Sequence, residues 1–265
     1  MESMHAALAA LRLQIEWGAD EALEMAPVDR MVIRAPAPPR PMTPPPQRPV
    51  AAPAPVAVPP PASQSARDIA NAANTFEELR AALAGFDGCP LSHTATKLVF
   101  ADGNADSGLM LVGEGPGAEE DRAGLPFVGP SGQLLDRMLA SIGLDRTKCL
   151  ITNLIPWRPP GNRNPTDAEV MTCLPFLLRH IALVRPRRLV LLGKLSASAL
   201  TGNKAGILRM RGKWTEVHVP GLPAPIPALP MLHPAYLLRT PGAKRDAWAD
   251  LLLLRRTIDK DLSTF

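Results

Sequence analysis

The sequence predicts an α/β domain in which a mainly parallel sheet carries helices on both faces, and three observations lead there. Short apolar runs, Leu109 to Val112, Cys149 to Ile155 and Leu189 to Leu192, alternate with amphipathic stretches of helical length. Helix punctuation falls between them: Gly85 and Gly143 stop helices, and Thr166 with Glu169 three residues on forms a capping box. The residues with chemical character, finally, sit just after strand ends, where open α/β sheets bind ligands.

In chain order, Met4, Leu8, Leu11 and Ile15 recur at helical spacing, which predicts an amphipathic helix within residues 1–25 that docks back on its own body or stays disordered, with a protein partner as the other course. Of the 31 prolines, thirteen fall between Pro36 and Pro61, so residues 26–65 read as an extended, disordered linker. The body, 66–265, is large enough for one buried core. A helix begins at Thr75 and ends at Gly85, and a loop runs from Cys89 to Thr96. The strand Leu109 to Val112 leads into the Gly/Pro-punctuated stretch GEGPGAEEDRAGLPFVG, residues 113–129. Its glycines allow a sharp turn and a close backbone approach to a ligand, with Glu114, Glu120 and Phe127 along the wall. A helix on Leu134, Leu135, Met138, Leu139 and Ile142 follows, then the strand Cys149 to Ile155. The loop Arg158 to Pro165 precedes a helix through Val184, and Leu189 to Leu192 is the third strand, followed by a short helix to Leu200. Ile207 to Trp214 reads as a basic loop. Thr215 to Val219 and Ala228 to Leu232 are strands, the second placed at an edge or strand end by Pro230. HPAYLLR, residues 233–239, comes next, and a terminal helix starts at Arg245.

The formal net charge is +4, and the body carries it: residues 1–65 hold five Arg against six acidic residues, leaving 24 Lys/Arg against 19 Asp/Glu. Clusters at Arg185, Arg187 and Arg188, at Lys204, Arg209, Arg211 and Lys213, and at Arg239, Lys244 and Arg245 suit a polyanion such as DNA. Three cysteines form no disulfide framework, no signal segment is apparent and no apolar run reaches membrane-spanning length. A cytoplasmic monomer with no membrane partner is expected.

The segments GEGPGAEEDRAGLPFVG, ITNLIPWRPPGNRNP, LVLLG and MLHPAYLLR, in this order, resemble the family-4 uracil-DNA glycosylases, over roughly Cys89 to Leu251. The resemblance implies a three-layer α/β/α sandwich that flips uracil out of DNA and hydrolyses its N-glycosidic bond, leaving an abasic site. It makes Glu114, Gly115 and Glu120 part of the first motif, Phe127 the stacking ring, Asn153 the uracil reader and His233 the start of the last motif. The chemistry agrees. One Asn amide answers both the carbonyl and the imide N–H of uracil but mismatches cytosine. A His ring N–H can meet the charge on the departing base, from the neutral or the protonated ring. Glu114 or Glu120 would position water or favour a cation-like sugar. Gly115 stands where another branch of the superfamily has an aspartate. No lysine lies in the matched motifs, so no Schiff-base lyase step is expected. Leu237 or Leu238 would wedge into the base stack while Arg209, Arg211 and Arg239 hold phosphates.

The family's 4Fe-4S cluster rests on four cysteines, and here only Cys89 and Cys173 match. Phe86 and Trp157 replace the other two, and Cys149 reads as an apolar filler, so no cofactor is expected. A catalytically lapsed DNA- or partner-binding module on the same fold is the alternative, motivated by these losses and by Gly115. A nucleotide-binding enzyme is disfavoured: GxGxxG spacing and a Walker lysine are missing.

Overall fold

The computed structural model describes residues 62–262. The expected N-terminal helix and all of the linker up to residue 61 lie outside the described residues. Helix α1 spans Ala62–Ala72 and so takes in residues 62–65, which composition had assigned to the linker. Helix α2, Phe76–Ala84, starts where expected: Thr75 accepts the Glu78 N–H, and Gly85 ends it.

Among the described residues six strands form one mixed sheet. They are β1 (Ala101–Gly103), β2 (Leu109–Gly113), β3 (Leu150–Asn153), β4 (Arg188–Leu192), β5 (Thr215–Val217) and β6 (Ile226–Met231), in the order β1-β3-β2-β4-β6-β5. The four central strands are parallel and the two short edge strands antiparallel. Sequence reading missed β1, whose three residues carry no apolar run. It also made β3 too long, because Leu154 and Ile155 are buried beyond the strand in the loop that follows.

Of the two places expected for Pro230, an edge strand or a strand end, the structure has the second: β6 lies inside the sheet between β4 and β5, and Pro230 is its penultimate residue. The Pro230 carbonyl accepts from Gly212 N–H, beyond the last β5 pair, Thr215 with Ala228. The N–H that proline lacks would have pointed to that same open side, so no bond to β4 is lost.

Successive strand residues serve opposite layers. Met110, Val112, Leu189 and Leu191 pack with α1, α2, α5 (Asp167–Val184) and α6 (Lys194–Thr201). Leu109, Leu111, Val190 and Leu192 pack with α4 (Pro130–Ala140), α8 (Pro234–Arg239) and α9 (Lys244–Leu262). Because both faces are covered, β2 is buried at every residue and reads as an unbroken apolar run. Short α3 (Ala118–Ala123) and α7 (Ile207–Met210) lie in the connections, the latter within what had read as a basic loop. The Thr166–Glu169 capping box opens α5 as anticipated.

Candidate active site

Parallel strands put their carboxyl ends on one side, and the site grows from four of them. Gly113 ends β2 directly opposite Asn153, the last residue of β3. Gly193 follows β4 and donates its N–H to the Met231 carbonyl of β6, two residues before His233. Between these ends opens a cavity of about 590 Å³, whose walls include Glu114, Phe127, Asn153, Lys194, His233 and Arg239. Three loops far apart in sequence thus meet in one crevice, and the volume suits a small-molecule site.

Asn153 is buried, and its Oδ1 has no hydrogen-bond partner. A methyl group added at Gly113 would meet this oxygen and stand 2.6 Å from the Phe127 ring. The amide and the ring therefore converge above Gly113, and only glycine fits beneath them. Phe127 is buried with φ 55, a left-handed conformation uncommon for a bulky residue. Its ring stacks on that of His233, centroids 5.5 Å apart and planes at 28°.

His233 caps α8. Its Nδ1 accepts the Ala235 N–H at 3.1 Å, so in the neutral ring the proton is on Nε2. Burial, with the nearby Arg239 charge adding to it, lowers its pKa to about 4, which keeps the ring neutral near pH 7. The choice between neutral and protonated rings, open in the sequence, thus falls to a neutral Nε2–H donor.

The two glutamates are not alike. Glu120 uses both oxygens on backbone: Oε2 accepts from Gly117 N–H at 3.1 Å and Oε1 from Gly129 N–H at 2.8 Å, which closes the loop onto α3. It braces the wall and does not present a free base. Glu114 accepts the Leu195 N–H at 2.8 Å at the start of α6, and burial raises its pKa above the usual carboxylate value. Gly193, with φ +102, leaves room for that carboxylate. Gly115 lines the cavity, and a methyl there would touch Ile155 at 3.5 Å, an ordinary contact, so crowding does not explain the glycine.

Two DNA-contact expectations need correction. Leu237 is 1% exposed within the core, so it cannot wedge into a duplex, whereas Leu238 is 42% exposed. Arg211 is committed to α9: it pairs with Asp250 at 2.6 and 2.9 Å and donates to the Asp246 carbonyl, while Arg209 and Arg239 are exposed. The absence of lysine from the matched motifs did not keep lysine from the wall, since Lys194, the residue after LVLLG, lines the cavity with its side chain exposed. Ser131 at the start of α4 and the Asn162–Pro165 stretch also line it; the stretch closes the segment ITNLIPWRPPGNRNP but none of its residues was singled out for a role, and Ser131 lies outside the matched segments. Arg163 is held by Glu169 through two bonds of 2.6 and 2.8 Å, which lower the Glu169 pKa to about 2.

Away from the cavity, Cys89 and Cys173 bring their Sγ atoms to 3.9 Å. Phe86 stacks on Trp157 at 6.4 Å and 23° and leans on Phe176 at 5.0 Å, all buried in the core. Two thiols beside packed aromatic rings do not fit a four-iron cluster, which needs thiolate at each corner iron. Burial pushes the Cys149 thiol up to about 12, as suits an inert filler.

A doubly covered, mainly parallel sheet with a crevice at the carboxyl ends of its strands defines a ligand-binding α/β fold. Residues 100–252 match the model of the Uracil DNA glycosylase superfamily, and the chain belongs to that superfamily. Within it the chain falls with the family-4 members. It is 38% identical over 182 residues to the type-4 uracil-DNA glycosylase of Pyrobaculum aerophilum, covering 67% of this chain and 92% of the relative. It is 39% identical over 155 residues to that of Thermotoga maritima (57% and 77% of the two chains) and 39% over 166 residues to that of Archaeoglobus fulgidus (61% and 82%).

Proposed function

We propose that the cavity receives a uracil turned out of DNA and that the chain is a monofunctional uracil-DNA glycosylase. The observation that carries this is the buried, unpartnered Asn153 Oδ1 beside the Phe127 ring. An unpaired buried acceptor is costly, and uracil N3–H relieves the cost while the amide N–H₂ meets O4. Cytosine offers an acceptor and an amino donor at the same places and leaves both mismatched. Phe127 covers the ring, since the base must leave the stack to be enclosed.

The C1′–N1 bond breaks with its electron pair moving onto the uracil ring. The neutral His233 Nε2–H donates a hydrogen bond to O2 as negative charge gathers there. A Glu114 carboxylate, when ionised, favours the cation-like sugar. Water adds its oxygen to C1′ and gives up a proton, which neutralises the departed uracil anion, yielding free uracil and an abasic site. No strand cleavage follows. Arg209 and Arg239 hold phosphates, Lys194 on the cavity wall adds a further positive charge, and Leu238 enters the base stack.

The chain works without an iron–sulfur cluster, Phe86 and Trp157 supplying by packing what ligation supplies elsewhere. It acts as a cytoplasmic monomer, with residues 1–25 available to a protein partner. Among the described residues no helix is long and apolar enough to cross a membrane.

A gel assay with a labelled oligonucleotide bearing one uracil tests the proposal. The intact protein should leave alkali-labile sites, and His233→Ala should still bind this DNA while excising about 10² to 10³ times more slowly. Binding without any excision by the intact protein would leave only a DNA-binding module.

A further inference from the structure

We propose that Arg146 is a positioning residue that sets the Phe127 ring, and through it the stacking wall of the pocket. The inference rests on the glycosylase reading. Phe127 holds a left-handed backbone, and such a conformation persists in a bulky residue only where its surroundings impose it. Arg146 does so. One guanidinium arm donates to the Phe127 carbonyl, and the other reaches the Pro126 carbonyl at 3.1 Å. Asp136 on α4 holds the same guanidinium at 2.9 Å and Asp102 on β1 holds it at 2.6 Å. A sheet edge and a helix thereby fix one planar fork, and the fork fixes two successive carbonyls. Gly132 closes the other side: a methyl there would overlap the Phe127 carbonyl and stand 2.7 Å from its Cα. With the backbone held, the ring is aimed onto His233.

Lysine keeps the charge but lacks the fork, so it cannot serve both carboxylates and both carbonyls. Arg146→Lys should remain folded by circular dichroism. It should lower the single-turnover excision rate about tenfold or more, a displacement of the ring being enough for that, and weaken inhibition by free uracil in parallel. The deciding measurement is a double-mutant cycle with Phe127→Ala, in which the Arg146→Lys loss should nearly vanish. A loss that adds in full to that of Phe127→Ala, or a wild-type rate and wild-type uracil inhibition for Arg146→Lys, overturns the proposal. If Arg146→Lys does not fold, Asp136→Asn enters the same cycle with the same two criteria. Failure of the underlying reading looks different, because the unaltered protein would then excise nothing.

Discussion

Gly113→Ala probes the floor of the pocket with a single methyl group. The added carbon would lie 2.6 Å from two Phe127 ring carbons and nearer still to Asn153 Oδ1, whereas ordinary contact begins at 3.4 Å. The ring must therefore retreat by about 0.8 Å and the amide by more. Gly113 pairs with Asn153 in the sheet, and β2 is buried throughout, so the strand cannot slide away to absorb the change. Overpacking of this kind costs about 1–3 kcal/mol, which the domain should survive. A misplacement near 1 Å at reacting groups costs about 10²-fold in rate. Single-turnover excision from a uracil-bearing oligonucleotide, run beside a thermal melt, should show a folded protein about a hundredfold slower. Gly206→Ala, where an added methyl meets nothing within 4 Å, should excise normally. A folded Gly113→Ala protein within about twofold of the parent rate would mean that Asn153 and Phe127 are not the walls that grip the base.

Further expectations concern stability, DNA and iron. His180 is buried between Phe76 and Phe100, and burial lowers its pKa to about 3. Above pH 6.5 it is neutral folded or unfolded and adds no pH dependence; from there down toward pH 3 only the unfolded chain takes the proton, so stability falls with pH, by about 2–3 kcal/mol between pH 6.5 and 4.5. Thermal melts of His180→Leu should lose that part of the slope, and identical slopes would contradict it. Leu237→Ala should cost about 2–5 kcal/mol in denaturant unfolding, while Leu238→Ala should leave stability intact and weaken excision from duplex more than from single strands; the reverse pattern would exchange their roles. Trp157→Ala should destabilise by about 3–5 kcal/mol, and purified parent protein should contain no stoichiometric iron; iron at cluster stoichiometry would refute the apolar substitution.

The central strands and the starts of two helices were legible because their signals are local: Thr166 and Glu169 lie one turn apart, and Leu109 to Val112 is apolar at every position. Asn153, Phe127 and His233 could be brought together because Asn153 ends a strand, the other two sit in loops that follow strands, and parallel strands end on one side. What escaped was long-range pairing. Nothing near Arg211 in the sequence announces Asp250, and a surface phosphate contact was the natural reading of an arginine in RMRGK. Arg146 escaped for the same reason, its carboxylate partners lying in β1 and α4. Leu237 and Leu238 are neighbours of one type, and only the angle at which α8 meets the sheet decides which is buried. Likewise Glu114 and Glu120 differ in the backbone amides they meet, which the motif does not encode.

The Arg211 clasp ties the lip of the cavity to the far end of the chain. Ile207 stands on the cavity wall, four residues before Arg211, and Arg211 is bolted to Asp250 in the first half of α9, with Gly212 pressed so close that a methyl there would strike the carboxylate. The cavity rim and the seating of the last helix are therefore mechanically linked: an alteration that unseats α9, however distant from the cavity, should slacken the rim before it melts the sheet.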